Sequence, residues 1–181
     1  MFDILVLILS SIIAFTIIYF IFRIFFNVFL NVRNLKSFKQ NTKEDSIVLL
    51  EKDIRDAKNT LYIYSGKCDE DTFNDERIEK AMAEKYRNLD IIVIIENDLG
   101  EENKVREYVE KGYIKKLFKT YKTYLYHFRI VDNKRVFIEK HQPGKDKDQR
   151  EYLFSYNRRY IIQFKRIFFN IFKDNVIPIA A

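Results

Sequence analysis

Cysteine is almost missing from this chain, with Cys68 standing alone. One cysteine excludes an intrachain disulfide framework and the small, loop-rich scaffolds that such bridges hold together. It also fits a reducing compartment. Tryptophan is absent, and there are only 4 glycines and 2 prolines. That scarcity excludes collagen-like and low-complexity chains and points to well-formed elements joined by short loops. The glycines that do occur, Gly66, Gly100, Gly112 and Gly144, fall where element ends are expected. Gly-rich phosphate loops, a serine nucleophile elbow and a Cys-x-x-Cys pair are missing too, so the chemistries those motifs carry have no support here.

Charge is missing from one stretch in particular. Residues 4–22, ILVLILSSIIAFTIIYFIF, contain none, and at ~1.5 Å per residue a helix of that length approaches the ~30 Å hydrocarbon core of a bilayer. The run predicts a transmembrane helix. A cleaved signal peptide would need a basic start and small residues at a cleavage site, whereas Asp3 precedes the run and Arg23 with large aromatics follows it. Arg23, Arg33, Lys36, Lys39 and Lys43 all lie on the C-terminal side. That asymmetry predicts an N-terminus outside and a C-terminal domain in the cytoplasm. The expected organisation is an anchor with its juxtamembrane segment over 1–33, a linker over 34–46, a globular domain over 47–176 and a short tail over 177–181.

What remains is rich in apolar and charged residues, 48% and 32% of the 181 positions, which excludes a disordered polymer and allows a proper core. The net charge of +6 suits an anionic membrane surface or nucleic acid equally. From residue 45 helix and strand patterns alternate. Ile47, Leu50, Ile54 and Ala57 keep helical spacing behind Asp45 or Ser46 as N-cap. Strands are predicted over 61–65 and 90–96, the second a continuous apolar run of the kind covered on both faces of a parallel sheet. Helices are expected over 74–88 and around Val105, Tyr108 and Val109, the latter stopped by Gly112. A strand over 113–118 follows. Near the C-terminus, 157–173 place Ile161, Phe164, Phe168 and Ile171 on one stripe, which predicts a helix covering the sheet rather than one lying on a membrane. The fold class is α/β, a mixed sheet flanked by helices.

The stretch 124–141, YLYHFRIVDNKRVFIEKH, holds the candidate chemistry. Its pattern is a β-hairpin with Asp132 and Asn133 in the turn. Side chains two apart on a strand project together, so His127 and Arg129 share a face and form a candidate phosphate site. Glu139 and His141 share a face of the return strand and face back toward His127. The ligand-binding candidates are therefore His127, Arg129 and His141, with Asp132 and Glu139 as further catalytic candidates. Asp132 is also expected to hold the turn through side-chain to backbone bonding. Two histidines without a ligand spacing do not predict a metal site, and no cofactor is expected. Tyr113, Tyr121, Tyr124 and Tyr126 are explained by sheet packing as well as by base stacking. Cys68 is expected to be partly exposed and without a role.

The order helix, strand, helix, strand, helix, strand, hairpin and C-terminal helix is carried by DAKNTLYIYSG, ERIEKAMAEKYRNLDIIVII, EYVEKGYIKKL and HFRIVDNKRVFIE. It resembles one half of the phospholipase D superfamily over residues 45–175. The resemblance implies a motif His-x-Lys-(x)4-Asp followed by Gly-Ser-x-Asn, and a site assembled from two copies, in one long chain or across a dimer. With Asp132 on the motif aspartate, Leu125 stands at the nucleophilic histidine and His127 at the lysine. With His127 and Arg129 read as His-x-Lys, the aspartate position falls on Lys134. Glu139, Lys140, His141 and Gln142 stand where Gly-Ser-x-Asn would follow. Leucine cannot attack phosphorus, so in the first register the family's route is closed. The expectation is a catalytically inactive phospholipase D-like domain, as a homodimer or in a membrane complex, binding an anionic lipid, nucleic acid or a protein partner. The alternatives are a dimeric phosphodiesterase built around His127 and a structural subunit of a membrane complex.

Overall fold

A computed structural model describes residues 35–39, 43–140, 151–174 and 176–179, together with Thr16, Ile18 and Tyr19. The chain divides into two compact units, Met1–Leu35 and Lys36–Ala181. In the first, Thr16, Ile18 and Tyr19 are helical and exposed. The remainder of the candidate membrane run lies outside the described residues, and no helix among the described residues is long and apolar enough to cross a membrane.

The second unit is built on one eight-stranded sheet with the strand order β1-β7-β6-β5-β2-β3-β4-β8. In chain order the strands are β1 (Leu35–Lys39), β2 (Thr60–Ser65), β3 (Asp90–Ile95), β4 (Lys116–Thr120), β5 (Tyr126–Val131), β6 (Arg135–Lys140), β7 (Glu151–Ser155) and β8 (Val176–Pro178). The helices are α1 (Lys43–Asp56), α2 (Glu70–Phe73), α3 (Glu76–Lys85), α4 (Val105–Glu110) and α5 (Arg158–Asp174). β2, β3 and β4 run parallel, while β5, β6, β7 and β8 pair antiparallel with their neighbours.

The sheet is buried on both faces because its central strands are apolar on both. Along β2, Leu61 and Ile63 join the core beneath α1, α3 and α4, whereas Tyr62 and Tyr64 join the core beneath α5. On α1 the helical stripe Ile47, Leu50, Ile54 and Ala57 is buried as its spacing predicts. On α5 the stripe Ile161, Phe164, Phe168 and Ile171 is buried against Phe128, Ile130 and Ile138. Phe128 packs at 5.0 Å from Phe164 and Phe168 at 5.0 Å from Tyr62, ring centroid to ring centroid. Burial of this kind stabilises by roughly 1.5–3 kcal/mol for each large apolar side chain.

Several boundaries differ from expectation for local reasons. α1 begins at Lys43, so Glu44 and Asp45 lie inside its first turn, where carboxylates favour the helix dipole, instead of capping it. With β1 also present, the stretch 34–46 expected as linker is partly regular structure. Just past the end of α4, Gly112 takes φ +73°, and the N–H groups of Tyr113 and Ile114 bond back to the Tyr108 carbonyl at 2.8 and 3.0 Å. That closure holds 113–114 on the helix end, so β4 starts later than predicted. β1, β7 and β8 were not anticipated. Cys68 is buried rather than partly exposed, and burial pushes its thiol up to about 12.

One polar cluster crosses the apolar layer. Asp53, on α1 and 1% exposed, accepts from Arg129 Nε at 2.7 Å and from Arg135 Nη2 at 2.7 Å. Arg135 Nη1 also donates to Asp56 at 3.0 Å, and the Arg129 guanidinium lies 4.0 Å over the Phe137 ring. The cluster fastens α1 to the β5–β6 hairpin. Asp53→Ala leaves two guanidinium groups buried without their carboxylate, and the expected loss is about 3–5 kcal/mol of unfolding free energy in urea titrations. A loss below ~1 kcal/mol, the range of exposed ion pairs, would show that the cluster is solvated rather than buried.

Candidate functional site at the carboxyl ends of the parallel strands

In an open α/β sheet the carboxyl ends of parallel strands frame the crevice where ligands bind. Here β2 ends in Ser65 and Gly66, β3 ends before Glu96 and Asn97, and β5 starts beside them. Tyr64 is paired with Phe128 across β2 and β5, which sets His127 alongside the strand end. Backbone bonds hold the rim: Glu96 N–H donates to the Ser65 and Gly66 carbonyls at 3.1 and 3.0 Å, and Asn97 N–H to Gly66 at 2.8 Å. A Cβ at Gly66 would lie 3.0 Å from His127 Cε1 and 3.2 Å from Nε2, so the imidazole packs directly on glycine.

Glu96 is the centre of this cluster. Its Oε1 accepts from the Tyr64 hydroxyl and, at 2.9 Å, from the Tyr124 backbone N–H. Its Oε2 lies 3.7 Å from His127 Nε2, with the two side chains 7% and 15% exposed. Burial works to raise the Glu96 pKa, but the nearby His127 imidazole and the hydrogen bonds from Tyr64 and Tyr124 outweigh it and hold the carboxyl below the usual range. Burial, and then the Glu96 carboxylate, push the Tyr64 phenol well above its ordinary value, so it remains a donor; it also contacts the Lys122 carbonyl at 3.2 Å. The result is an ionised carboxylate fixed by two groups, the Tyr64 hydroxyl and the Tyr124 N–H, beside an imidazole.

The other candidates are distributed differently. Arg129 shares the His127 face of β5, as the alternation predicts, yet its guanidinium is bound to Asp53. Glu139 is the cross-strand partner of His127 in the β5–β6 register. His141 lies outside the described residues. Asp132 sits in the hairpin turn with φ 49°, beside Asn133 at 55°, and Lys134 N–H closes the turn onto the Val131 carbonyl at 2.8 Å. Its carboxylate does not serve the turn itself. It accepts from the N–H groups of Lys58, Asn59 and Thr60 at 2.8, 2.8 and 2.9 Å, joining the α1–β2 corner to the hairpin. That end of the sheet is opposite to His127.

Leu125 precedes β5 and is 68% exposed. A Ser-x-Asn triplet does occur at Ser155–Asn157, but Ser155 pairs with Val136, at the far end of β6 from Glu139. Asn157 Oδ1 accepts from Arg159 N–H at 2.9 Å and starts α5. Among the described residues no group of three His, Cys, Asp or Glu is placed to hold a metal ion. Glu96, Tyr64 and Gly66 were not singled out from sequence. The available signal was the single carboxylate closing the apolar run DIIVIIE, at the strand end where sites form.

No protein-family model and no curated protein matches the sequence. Solved structures do match in fold. NucT from Helicobacter pylori aligns with TM-score 0.58 and 17% identity, over 78% of this chain and 97% of its own. Nuc from Salmonella typhimurium, a phospholipase D family member, gives 0.51 and 16%, over 81% and 97%. TrmBL2, an archaeal chromatin protein with a novel mode of DNA binding, gives 0.55 and 12%; the chain aligns over 78% of its own length and spans 53% of that protein. The architecture is therefore phospholipase D-like.

Two outcomes test the geometry. Burial opposes, but the bonds from Thr60, Asn59 and Lys58 overcome it and lower the Asp132 pKa. Its stabilising contribution is then complete above the unfolded aspartate value of about 3.9 and disappears as pH falls through the lower folded value. Urea unfolding of Asp132→Asn should show a deficit that is constant near neutrality and closes in acid; a deficit independent of pH would contradict the assignment. Gly66→Ala should shift the His127 ring resonances in NMR spectra while circular dichroism stays unchanged, because the new methyl must displace the imidazole. Unmoved resonances would mean the ring does not rest on Gly66.

Proposed function

We propose that this chain is a membrane-anchored, phospholipase D-like domain that does not hydrolyse phosphodiesters and instead binds an anionic ligand or a protein partner at the membrane. The anchor is the uncharged run 4–22, with the N-terminus outside and the domain in the cytoplasm, following the basic flank from Arg23 to Lys43. Leu125 carries the argument. In the register set by Asp132 it occupies the place of the attacking histidine, and it is a leucine on an exposed segment. The removal of Arg129 into the Asp53 pair supports the same reading, since developing charge on phosphorus needs cations facing it. Self-association suits the fold, because phospholipase D-like sites are assembled from two halves and this chain supplies one.

A second reading is favoured by one observation, the His127 and Glu96 pair at the strand ends. In a homodimer two such pairs would supply one imidazole to attack phosphorus and another to protonate the leaving oxygen. The discriminating experiment uses the full chain in detergent with a chromogenic phosphodiester and with single-stranded DNA, beside His127→Ala. The expected result is no turnover above the variant. Hydrolysis that falls by about 10²-fold or more on substitution, the usual scale of general acid–base catalysis, would establish the dimeric phosphodiesterase instead.

A further inference from the structure

The outer face of α5 is basic, with Arg158, Arg159 and Arg166 exposed along it. Elsewhere several long basic side chains have carboxylate partners: Arg55 with Glu51 and Glu84, Arg77 with Glu44 and Asp75, and both Lys104 and Lys111 with Glu79. Residues 152–173 contain no aspartate or glutamate at all. Among the described residues, Arg158, Arg159 and Arg166 on the exposed side of α5 have no ion-pair partner. Arg159 and Arg166 are two turns apart, about 10 Å along the axis, and flank a depression of about 410 Å³ whose lining includes Ile162, Gln163 and Asn170. Ile162 is 40% exposed between the two arginines. The opposite side of the helix is fixed in the core through Ile161, Phe164, Phe168 and Ile171.

We propose that this face of α5 docks on the anionic surface of a lipid bilayer. The arginines supply the charge complement to lipid phosphates, and Ile162 the apolar contact that reaches past the headgroups. A nucleic-acid backbone would match the charge but has no use for an exposed aliphatic side chain between the cations. The buried stripe remains in the protein core throughout, so docking needs no opening of the fold. This differs from a free amphipathic helix, whose apolar face itself enters the lipid.

The test uses the full chain carrying Ile162→Cys, labelled with an environment-sensitive fluorophore. Cys68 is buried and does not compete for the label. The protein is reconstituted in vesicles of phosphatidylcholine alone, or of phosphatidylcholine with phosphatidylglycerol, each with headgroup-quencher lipid. Emission should shift to the blue and be quenched in the anionic vesicles only. The response should be lost at high salt and in the Arg159→Gln, Arg166→Gln double variant, with circular dichroism unchanged. A label at Glu84→Cys, on the other side of the sheet, should not respond. Co-flotation with neutral vesicles reports the anchor and the label reports α5, so the two readings fail separately. A label that stays in water in anionic vesicles would overturn the proposal. So would one that responds equally in neutral lipid, or one that responds to added duplex DNA and not to lipid.

Discussion

The placement of α1 and the identity of the site both depend on one buried carboxylate. Asp53 sits in an apolar layer where an isolated charge is not tolerated, so it must face cations, and Arg129 and Arg135 are the two that reach it. Because these arginines belong to β5 and β6, the pair fixes how α1 lies across the hairpin. It also settles what Arg129 can do. Its charge faces a buried carboxylate through Nε and its plane stacks on Phe137, whatever its sequence spacing from His127 suggests, although its buried Nη2 has no hydrogen-bond partner among the described residues.

The two residues differ in fate because of where they lie along the same strand. On β5 a step of two residues is nearly 7 Å, enough to carry His127 from the reach of α1 to the carboxyl end of β2 and β3. There Glu96 replaces Asp53 as the facing carboxylate. The face is acidic at both places, but Glu96 is bonded by a phenol and a backbone N–H as well, so His127 meets a carboxylate already held in place. Among the described residues the site is consequently a carboxylate–imidazole pair rather than a cluster of fixed cations, which distinguishes it chemically from a phosphate clamp.

Much of the fold was legible in the sequence where burial is periodic. The stripe on α1, the two-sided apolar run of β3, the Asp132–Asn133 turn and the stripe on α5 follow from local spacing alone. The edge strands β1 and β8, and β7 next to β1, were not legible, because a short strand toward a sheet margin is defined by the neighbours it pairs with rather than by its own pattern. The same physics separates the readable from the unreadable part of the site. Alternation placed His127 and Arg129 on one face. It could not say that a carboxylate on a helix, Asp53, would take one of them, or that Glu96 would meet the other. Those contacts join residues far apart in the chain. Asp132 shows an intermediate case: its turn position was predictable from its type, while its bonds to Lys58, Asn59 and Thr60 depended on the tertiary arrangement.

The α5 helix shows how one segment can serve core and surface without compromise. Four large apolar side chains on a single stripe fix its rotation on the sheet, and that leaves the composition of the far side free of any structural demand. A solvated helix with no other role commonly mixes charges of both signs, which adds small favourable pairs at i,i+4 spacing. α1 does this with Glu51 and Arg55. Residues 158–173 of α5 offer no carboxylate for such pairs, and among the described residues its exposed arginines have no ion-pair partner. A charge distribution that gives up local stabilisation calls for an anionic counterpart outside the chain, and the exposed Ile162 among those arginines favours a bilayer surface as that counterpart.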